Sequence, residues 1–166
     1  RYYGLSDVPA WYAVRLIDYA EHHGMASPIA LQLEYSLAER VIEREHLPFA
    51  ALAGLGLCPW SPLAGGMLTG KYIRGEVPAS GRMSVLTTFQ RSLLDNEQVW
   101  KVVDALRNIS SEVGASPAEV ALHWVFRQYR STSVIIGATR LDQLESNMRS
   151  LELKLNKDHW AQLDLV

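Results

Sequence analysis

Short apolar runs alternate with helix-like patterns along the chain, and this alternation limits the fold more than any other feature of the sequence. The four apolar runs are RYYGLS, PIALQLEYS, LCPWSPLA and SVIIGA. Each is followed by a helical pattern, in the third case only after a long loop. Strands that alternate with helices predict right-handed β-α-β units around a parallel sheet, so the expected fold class is α/β.

Prolines and glycines mark the expected ends of the first helices. Pro9 is suited to begin the first helix and Gly24 to end it. The second helical stretch is expected to break near Pro48 and to end at Gly54. Residues 65–93 are rich in Gly, Ser, Thr and Pro, which predicts a long loop.

Four more helices are expected in the second half of the chain. Asp95 is the expected N-cap of a helix whose apolar residues recur at helical spacing. Ser116 and Glu119 have the spacing of a capping box, with Pro117 at the first helical position. A helix is expected behind SVIIGA, and a last amphipathic helix is expected to follow Asn156.

Two α/β architectures are compatible with this order of elements. An open doubly wound sheet usually places a glycine-rich turn after its first strand, and the corresponding segment LSDVPAW contains no glycine. Polar and small residues instead follow several strands, which is typical of a (β/α)₈ barrel. Such a barrel takes about 250 residues and eight units. Four strands cannot close a barrel, and they leave two open edges.

The segment CPWSPLAGGMLTGKY contains the spacing of a phosphate-binding P-loop, from Gly65 through Gly70 to Lys71. A working P-loop needs Ser or Thr after the lysine to hold Mg²⁺, and a helix directly behind it. Tyr72 occupies the position after Lys71, and residues 73–81 contain two glycines and a proline. We therefore interpret the spacing as a coincidence and do not predict a triphosphate site.

Composition excludes several classes of function. The 166 residues carry a net charge of −2, which gives no electrostatic footprint for nucleic acid. No apolar run approaches the ~20 residues of a membrane span, and the five histidines show no metal-ligand spacing. The single cysteine, Cys58, is typical of a reducing compartment, so a cytoplasmic location is expected.

Four segments resemble the aldo-keto reductase superfamily, in order and across almost the whole chain. GLSD with the following AW resembles the fifth-strand segment of that family, and ALQLEYSL with Arg40 and Glu43 resembles the sixth. WSPLAGGMLTGKY resembles the seventh, and VIIGATRLDQLESN resembles the eighth strand with its helix. Within the superfamily, the SPLAGG segment and the long loop behind it are similar to those of bacterial reductases and potassium-channel β-subunits. The resemblance implies that residues 1–166 are one partial domain, the C-terminal half of a (β/α)₈ TIM barrel.

The resemblance also implies a site for NADP(H), beginning at the nicotinamide. Ser6 and Gln32 match residues that hydrogen-bond the nicotinamide carboxamide, and the ring of Trp60 matches the residue that stacks on it. The backbone of the next segment matches the track of the pyrophosphate; its residues are Ser61, Pro62, Leu63, Ala64 and Gly65.

Two further groups match the remainder of the cofactor. Lys71 and Arg82 match basic residues in a loop that closes over the pyrophosphate. The residues that match the adenosine and 2′-phosphate end are Gly137, Thr139, Arg140, Gln143 and Asn147. The guanidinium of Arg140 suits a phosphate monoester, which favours NADP over NAD.

Two positions depart from the family pattern. Asp7 stands where the family usually has Asn, and an ionised carboxylate only accepts hydrogen bonds, so it cannot reproduce both halves of an amide contact. Ser146 replaces the usual Glu near the adenine. Asp7 is nevertheless included among the predicted cofactor-binding residues.

The resemblance implies that no catalytic residue lies in this chain. The family's tyrosine, lysine, aspartate and histidine come from its first four strands, and Tyr35 and Lys71 match other positions. Two explanations stay open: an N-terminal half that was cleaved, disordered or omitted, or a half-barrel that pairs with a second copy. By itself the chain is expected to be inactive and to bind NADPH weakly or not at all.

Two functions also stay open for the complete protein. The first is an NADP-dependent oxidoreductase that reduces a small carbonyl substrate. The second is a regulatory subunit that senses NADP(H), similar to the channel β-subunits. Neither reading involves nucleic acid, a metal or a membrane.

Overall fold

Three parallel strands form the sheet of this protein in the order β1-β2-β3. We describe residues 1–76, 78–79, 81–85, 87–128 and 131–166 of a computed structural model, without the side chains of residues 89 and 90. The strands are β1 (Gly4–Ser6), β2 (Ala30–Glu34) and β3 (Gly56–Trp60). This confirms the parallel α/β class and the first three predicted strands.

The fourth predicted strand, SVIIGA, does not form a regular strand. The chain at 131–135 runs beside β3, where the Thr132 and Ile135 amides donate to the carbonyls of Leu57 and Pro59, both at 2.8 Å. Pro59 has no N–H, and the Leu57 N–H donates to the Thr132 hydroxyl at 3.2 Å. An isolated parallel bridge pairs Leu57 with Ser131, and no regular ladder continues from it over 132–136.

Seven α-helices accompany the strands in the described part of the chain. Their bounds are α1 (Ala10–His22), α2 (His46–Ala53), α3 (Thr88–Leu94), α4 (Glu97–Val113), α5 (Pro117–Arg127), α6 (Leu141–Arg149) and α7 (Lys157–Leu165). Three short 3₁₀ helices occur at Val41–Glu43, Ala64–Thr69 and Arg82–Ser84. The loop predicted over 65–93 therefore contains regular structure, because left-handed glycines allow tight turns between short helical pieces.

The predicted helix ends agree with the structure except at one position. Pro9 is the N-cap of α1, and Gly54 ends α2 in the left-handed conformation. The capping box of Ser116 and Glu119 is confirmed. Asp95 was wrongly predicted as the cap of α4. Asn96 caps it instead, because its side-chain oxygen reaches the Gln98 and Val99 amides at 2.8 and 3.4 Å.

One face of the sheet packs into the core and the other remains open. Leu31, Leu33 and Leu57 are buried in the main apolar cluster, together with residues of α4 and α5 such as Leu106 and Trp124. Because successive strand residues point to opposite faces, Gln32 lies on the other side, where it is exposed. Parallel sheets are normally covered on both faces, so this open face is an unusual feature.

Among the described residues, no helix has both the length and the apolar character needed to cross a membrane.

Candidate functional site

The carboxyl ends of the three strands bring the first group of predicted residues to one edge of the sheet. Ser6 pairs with Gln32, and Gln32 pairs with Cys58, so these three residues form a row across the open face. Glu34 and Trp60 form the next row along the strands. The structure therefore places Ser6, Gln32 and Trp60 within one patch.

Asp7 links the ends of β1 and β3. Its carboxylate accepts a hydrogen bond from Trp60 Nε1 at 3.0 Å and another from the Ser6 hydroxyl at 3.3 Å. Its amide donates to the Gln32 carbonyl at 3.1 Å, and its φ is +49°. A left-handed conformation is uncommon outside glycine, although aspartate tolerates it better than most residues. The hydrogen bonds therefore hold both the Asp7 backbone and the Trp60 ring in one orientation.

Glu34 is a carboxylate that the sequence interpretation did not assign to the cofactor. Partial burial raises the pKa of Glu34, and the neighbouring charges of Glu39 and Asp7 raise it further. Its position at the end of β2, in register with Trp60, makes this edge of the sheet acidic. The sequence could have indicated Glu34 as a site residue by its position at the end of a strand, two residues after Gln32.

The segment after Trp60 turns sharply through left-handed conformations. Ser61, Ala64, Gly65 and Gly66 have φ values of +54°, +47°, +64° and +99°. The Ser61 hydroxyl accepts from the Gly65 amide at 3.3 Å. A Cβ on Gly65 would lie 3.0 Å from the Met83 methyl group, so a larger residue there would strain both backbone and packing. Strained backbone persists where the surrounding structure enforces it, and such positions cluster at functional sites.

Lys71 lies beside two glycines of the following loop. Its Nζ would be 3.0 Å from a Cβ on Gly81 and 3.8 Å from one on Gly66. It also lies 5.0 Å from the centre of the Tyr72 ring. Among the described residues, no salt bridge involves Lys71 or the exposed Arg82. Both cations therefore remain available to an anion.

The backbone around Lys71 does not have the form of a P-loop. No helix begins directly behind Lys71, since residues 71–76 form bends and a turn. This agrees with the interpretation of the glycine–lysine spacing as a coincidence.

The predicted adenosine and 2′-phosphate residues lie in the segment that leads into α6 and along α6 itself. The Thr139 amide and hydroxyl donate to Gln143 Oε1 at 2.9 and 3.2 Å. The Arg140 guanidinium binds both oxygens of Asp142, at 2.9 and 2.8 Å, and this holds the pKa of Asp142 below its usual range. Gly137 is exposed, and Asn147 is buried.

Glu119 anchors α6 to α5, and the sequence predicted only its role as a cap. One carboxylate oxygen accepts from the Ser116 amide at 2.7 Å. The other accepts from the Ser146 hydroxyl at 3.0 Å and from Arg149 Nε at 2.9 Å. Ser146, which departs from the family pattern, therefore contacts the neighbouring helix.

Tyr35 is held in the interior. It is fully buried, and its hydroxyl donates to Glu43 Oε1 at 2.7 Å, while Arg40 pairs with the same carboxylate at 2.8 Å. Burial, followed by the bond to Glu43, raises the pKa of Tyr35 strongly. Such a hydroxyl is a poor proton donor, which is consistent with leaving Tyr35 out of the catalytic residues.

Within the described ranges, no three His, Cys, Asp or Glu side chains come together in a way that would hold a metal ion. The buried histidines have structural partners: His123 Nδ1 lies 2.7 Å from the Ser150 carbonyl, and His159 Nε2 lies 3.1 Å from Glu112.

Comparison with known proteins identifies the relatives of the chain. A family model described as the aldo/keto reductase family matches residues 1–166. The chain is 38% identical over 156 residues to a probable voltage-gated potassium channel subunit beta of Oryza sativa subsp. japonica, covering 92% of this chain and 47% of that protein. It is 36% identical over 166 residues to Protein tas of Escherichia coli K12, covering 100% of this chain and 47% of that protein.

A third relative is an uncharacterized oxidoreductase, YrpG, of Bacillus subtilis 168. It is 32% identical over 157 residues, which is 95% of this chain and 46% of that protein. The chain thus spans about half the length of the curated relatives it matches.

Proposed function

Because the chain belongs to the aldo/keto reductase family, we propose that it forms the NADP(H)-binding part of an oxidoreductase that reduces aldehydes and ketones to alcohols. The observation that carries this proposal is the meeting of Ser6, Gln32 and Trp60 at the carboxyl ends of three adjacent parallel strands. Ligand sites of parallel α/β proteins lie at this end of the sheet. When bound, NADPH supplies the hydride.

The residues present fit a dinucleotide. The half-exposed ring of Trp60 offers a flat apolar surface, and Gln32 offers an amide with donors and an acceptor on the open face. The left-handed turn at Gly65 and Gly66 brings backbone close to Lys71, a cation without a carboxylate partner in the described salt bridges. Small residues and an unneutralised cation suit a pyrophosphate.

We further propose that the chain is the C-terminal half of a (β/α)₈ barrel. The open face of the sheet supports this, since it carries polar side chains that a barrel interior would enclose. Exposed apolar side chains on two of the helices also support the half-barrel proposal. Trp11 and Tyr12 are exposed on α1, and Leu141, Leu144 and Met148 recur along one exposed side of α6.

The occupant we propose for these surfaces is a complementary half of the same family, carrying the other four strands. The matched segment is about half of each curated relative, so the unmatched part is long enough for such a complementary half. It would also supply the proton-transfer residues, so the chain without it is expected to be inactive. A second copy of this chain is the competing occupant.

Size-exclusion chromatography with light scattering distinguishes these occupants. A purified 166-residue chain that is monomeric, or that associates without a defined size, supports the complementary half. A stable dimer of defined size would contradict it and favour a second copy.

Cofactor choice is tested by a pair of charge-removing variants. Arg140→Gln is expected to weaken NADPH binding about tenfold and to leave NADH binding unchanged, because the guanidinium would meet only the 2′-phosphate. Arg15→Gln, at an exposed site on α1, is the control and should change neither. Millimolar affinities are within reach of NMR titration. Equal binding of both nucleotides, unaffected by Arg140→Gln, would exclude the 2′-phosphate assignment.

A second candidate is a regulatory subunit that binds NADP(H) with little turnover. It is favoured by the 38% identity to a protein named as a probable voltage-gated potassium channel subunit beta. Steady-state NADPH consumption with a panel of aldehydes, by a protein that contains both halves, separates the two. Turnover supports the oxidoreductase, whereas tight binding without turnover supports the regulatory subunit.

A further inference from the structure

Asp7 presents a negative charge at the carboxyl end of β1 that no cation neutralises among the residues that the structure describes. The donors to its oxygens are the Trp60 indole N–H and the Ser6 hydroxyl, and both are uncharged. The salt bridges of the described residues all involve other carboxylates. The charge is therefore held beside the Trp60 ring without a counter-ion from those residues.

The position of this charge is fixed by three contacts. The Asp7 amide is bonded to the Gln32 carbonyl at 3.1 Å, and the two side-chain contacts measure 3.0 and 3.3 Å. The two side-chain contacts hold the carboxylate toward the Trp60 indole. The indole ring and the carboxylate consequently form one unit.

A second carboxylate strengthens the field at this edge. Glu34 lies in register with Trp60 on the adjacent strand. After burial and the charge of Glu39, the charge of Asp7 contributes to raising the pKa of Glu34. The field of Asp7 therefore extends across the patch where Trp60 lies.

We propose that Asp7 makes this site prefer the oxidised, positively charged nicotinamide ring over the reduced, neutral ring. The inference rests on the proposed function, which places a nicotinamide beside Trp60. A fixed carboxylate attracts a cationic ring by Coulomb interaction, and it has no such attraction for a neutral ring. By linkage, each tenfold preference for the oxidised form lowers the reduction potential of the bound pair by about 30 mV.

Asp7→Asn separates charge from geometry. The amide oxygen of Asn still accepts from the Trp60 indole, so the ring keeps its support while the charge is lost. Asp18→Asn is the matched control, since it removes one exposed carboxylate from α1. Asp7→Ala removes both the charge and the acceptor.

The test measures the dissociation constants of NADP⁺ and NADPH for a protein that contains both halves, by NMR titration into the millimolar range. The ratio of the NADPH constant to the NADP⁺ constant is expected to fall about three- to tenfold in Asp7→Asn and to change less than about twofold in Asp18→Asn. Without nucleotide, the Trp60 Nε1–H resonance should stay near its wild-type position in Asp7→Asn. It should move toward that of an exposed indole in Asp7→Ala.

Each remaining outcome is decisive. If both nucleotides bind and the ratio in Asp7→Asn equals that of the wild type, the inference is wrong while the proposed function stands. Equal changes in Asp7→Asn and Asp18→Asn would reduce the effect to net charge and also overturn it. If neither nucleotide perturbs the wild-type spectrum of the protein with both halves, the proposed function fails and the inference fails with it.

Discussion

Replacement of Glu119 by Ala is expected to loosen α6 from the rest of the molecule. Glu119 is only 6% exposed, and it accepts hydrogen bonds from Ser116, Ser146 and Arg149. The only buried residue within α6 is Asn147, so apolar packing contributes little to its attachment. This helix also carries Gln143 and Asn147, two of the five residues predicted to bind the adenosine end of the cofactor.

The expected magnitude follows from the three bonds. The bonds from Ser116 and Ser146 to a buried carboxylate contribute about 1 kcal/mol or slightly more each. The Arg149 side chain is 62% exposed, so solvent screening limits its pair to about 0–1 kcal/mol. We therefore expect Glu119→Ala to lower the free energy of unfolding by about 2–3 kcal/mol. For a chain of this size that corresponds to a decrease of about 4–12 °C in Tm.

Urea denaturation at neutral pH measures this loss of stability. Two single variants measure how much of it comes from each hydrogen-bond partner in α6. Ser146→Ala should cost about 1 kcal/mol, and Arg149→Gln about 0.5 kcal/mol or less. If Arg149→Gln costs as much as Glu119→Ala, the exposed ion pair dominates and the reasoning is wrong. A loss below about 0.5 kcal/mol for Glu119→Ala would contradict it equally.

The pH dependence gives an independent check. Burial alone would raise the pKa of Glu119, but its bonds to Ser116, Ser146 and Arg149 outweigh burial and hold it below the ordinary value of 4.5. The folded-state pKa is depressed, so the stabilisation is present above 4.5 and is lost as the pH falls through the folded-state value. The stability difference between the wild type and Glu119→Gln should therefore shrink as the solution is acidified below about pH 5.

Two further predictions concern other parts of the fold. Burial lowers the pKa of His123 below 6.5 despite its bond to the Ser150 carbonyl, so wild-type stability should decline as the pH falls below 6.5. His123→Gln should flatten that decline in urea titrations; an unchanged slope would contradict the assignment. Gly81→Ala should cost about 2–3 kcal/mol, because its Cβ would meet the Tyr72 hydroxyl at 2.7 Å. Gly75 has a φ of +80°, and a Cβ there would meet no atom within 4 Å, so Gly75→Ala should lower the free energy of unfolding by only about 1 kcal/mol. Equal losses of stability in the two variants would show that the contact with Tyr72 does not matter.

Much of the fold could be predicted from local patterns. The apolar runs predicted three strands, and proline, glycine and the capping box predicted most of the helix ends. The fourth strand failed because its outcome depends on a neighbour. On the outer side of β3, Pro59 has no N–H to donate, and the described residues form an isolated bridge between Leu57 and Ser131. No property of the SVIIGA run itself reveals this.

The candidate site could be located from the sequence, but its internal contacts could not. The resemblance pointed to Ser6, Gln32 and Trp60, and the parallel register brings them to one patch. The assignment of the individual residues to the cofactor stays a prediction. The role of Asp7 as the partner of the Trp60 indole was not visible, because the two residues are 53 positions apart. Their meeting depends on two crossover connections and on a left-handed turn at Asp7.

Glu119 shows where the limit between local and distant information lies. Its bond to the Ser116 amide spans three residues, so helix geometry alone sets the distance and the sequence motif predicts it. Its bonds to Ser146 and Arg149 span 27 and 30 residues, and they form only where α5 and α6 pack side by side. The same carboxylate thus carries a contact that the chain specifies locally and two that only the packed structure specifies. Variants that separate these contacts measure how far the placement of α6 depends on packing rather than on helix propensity.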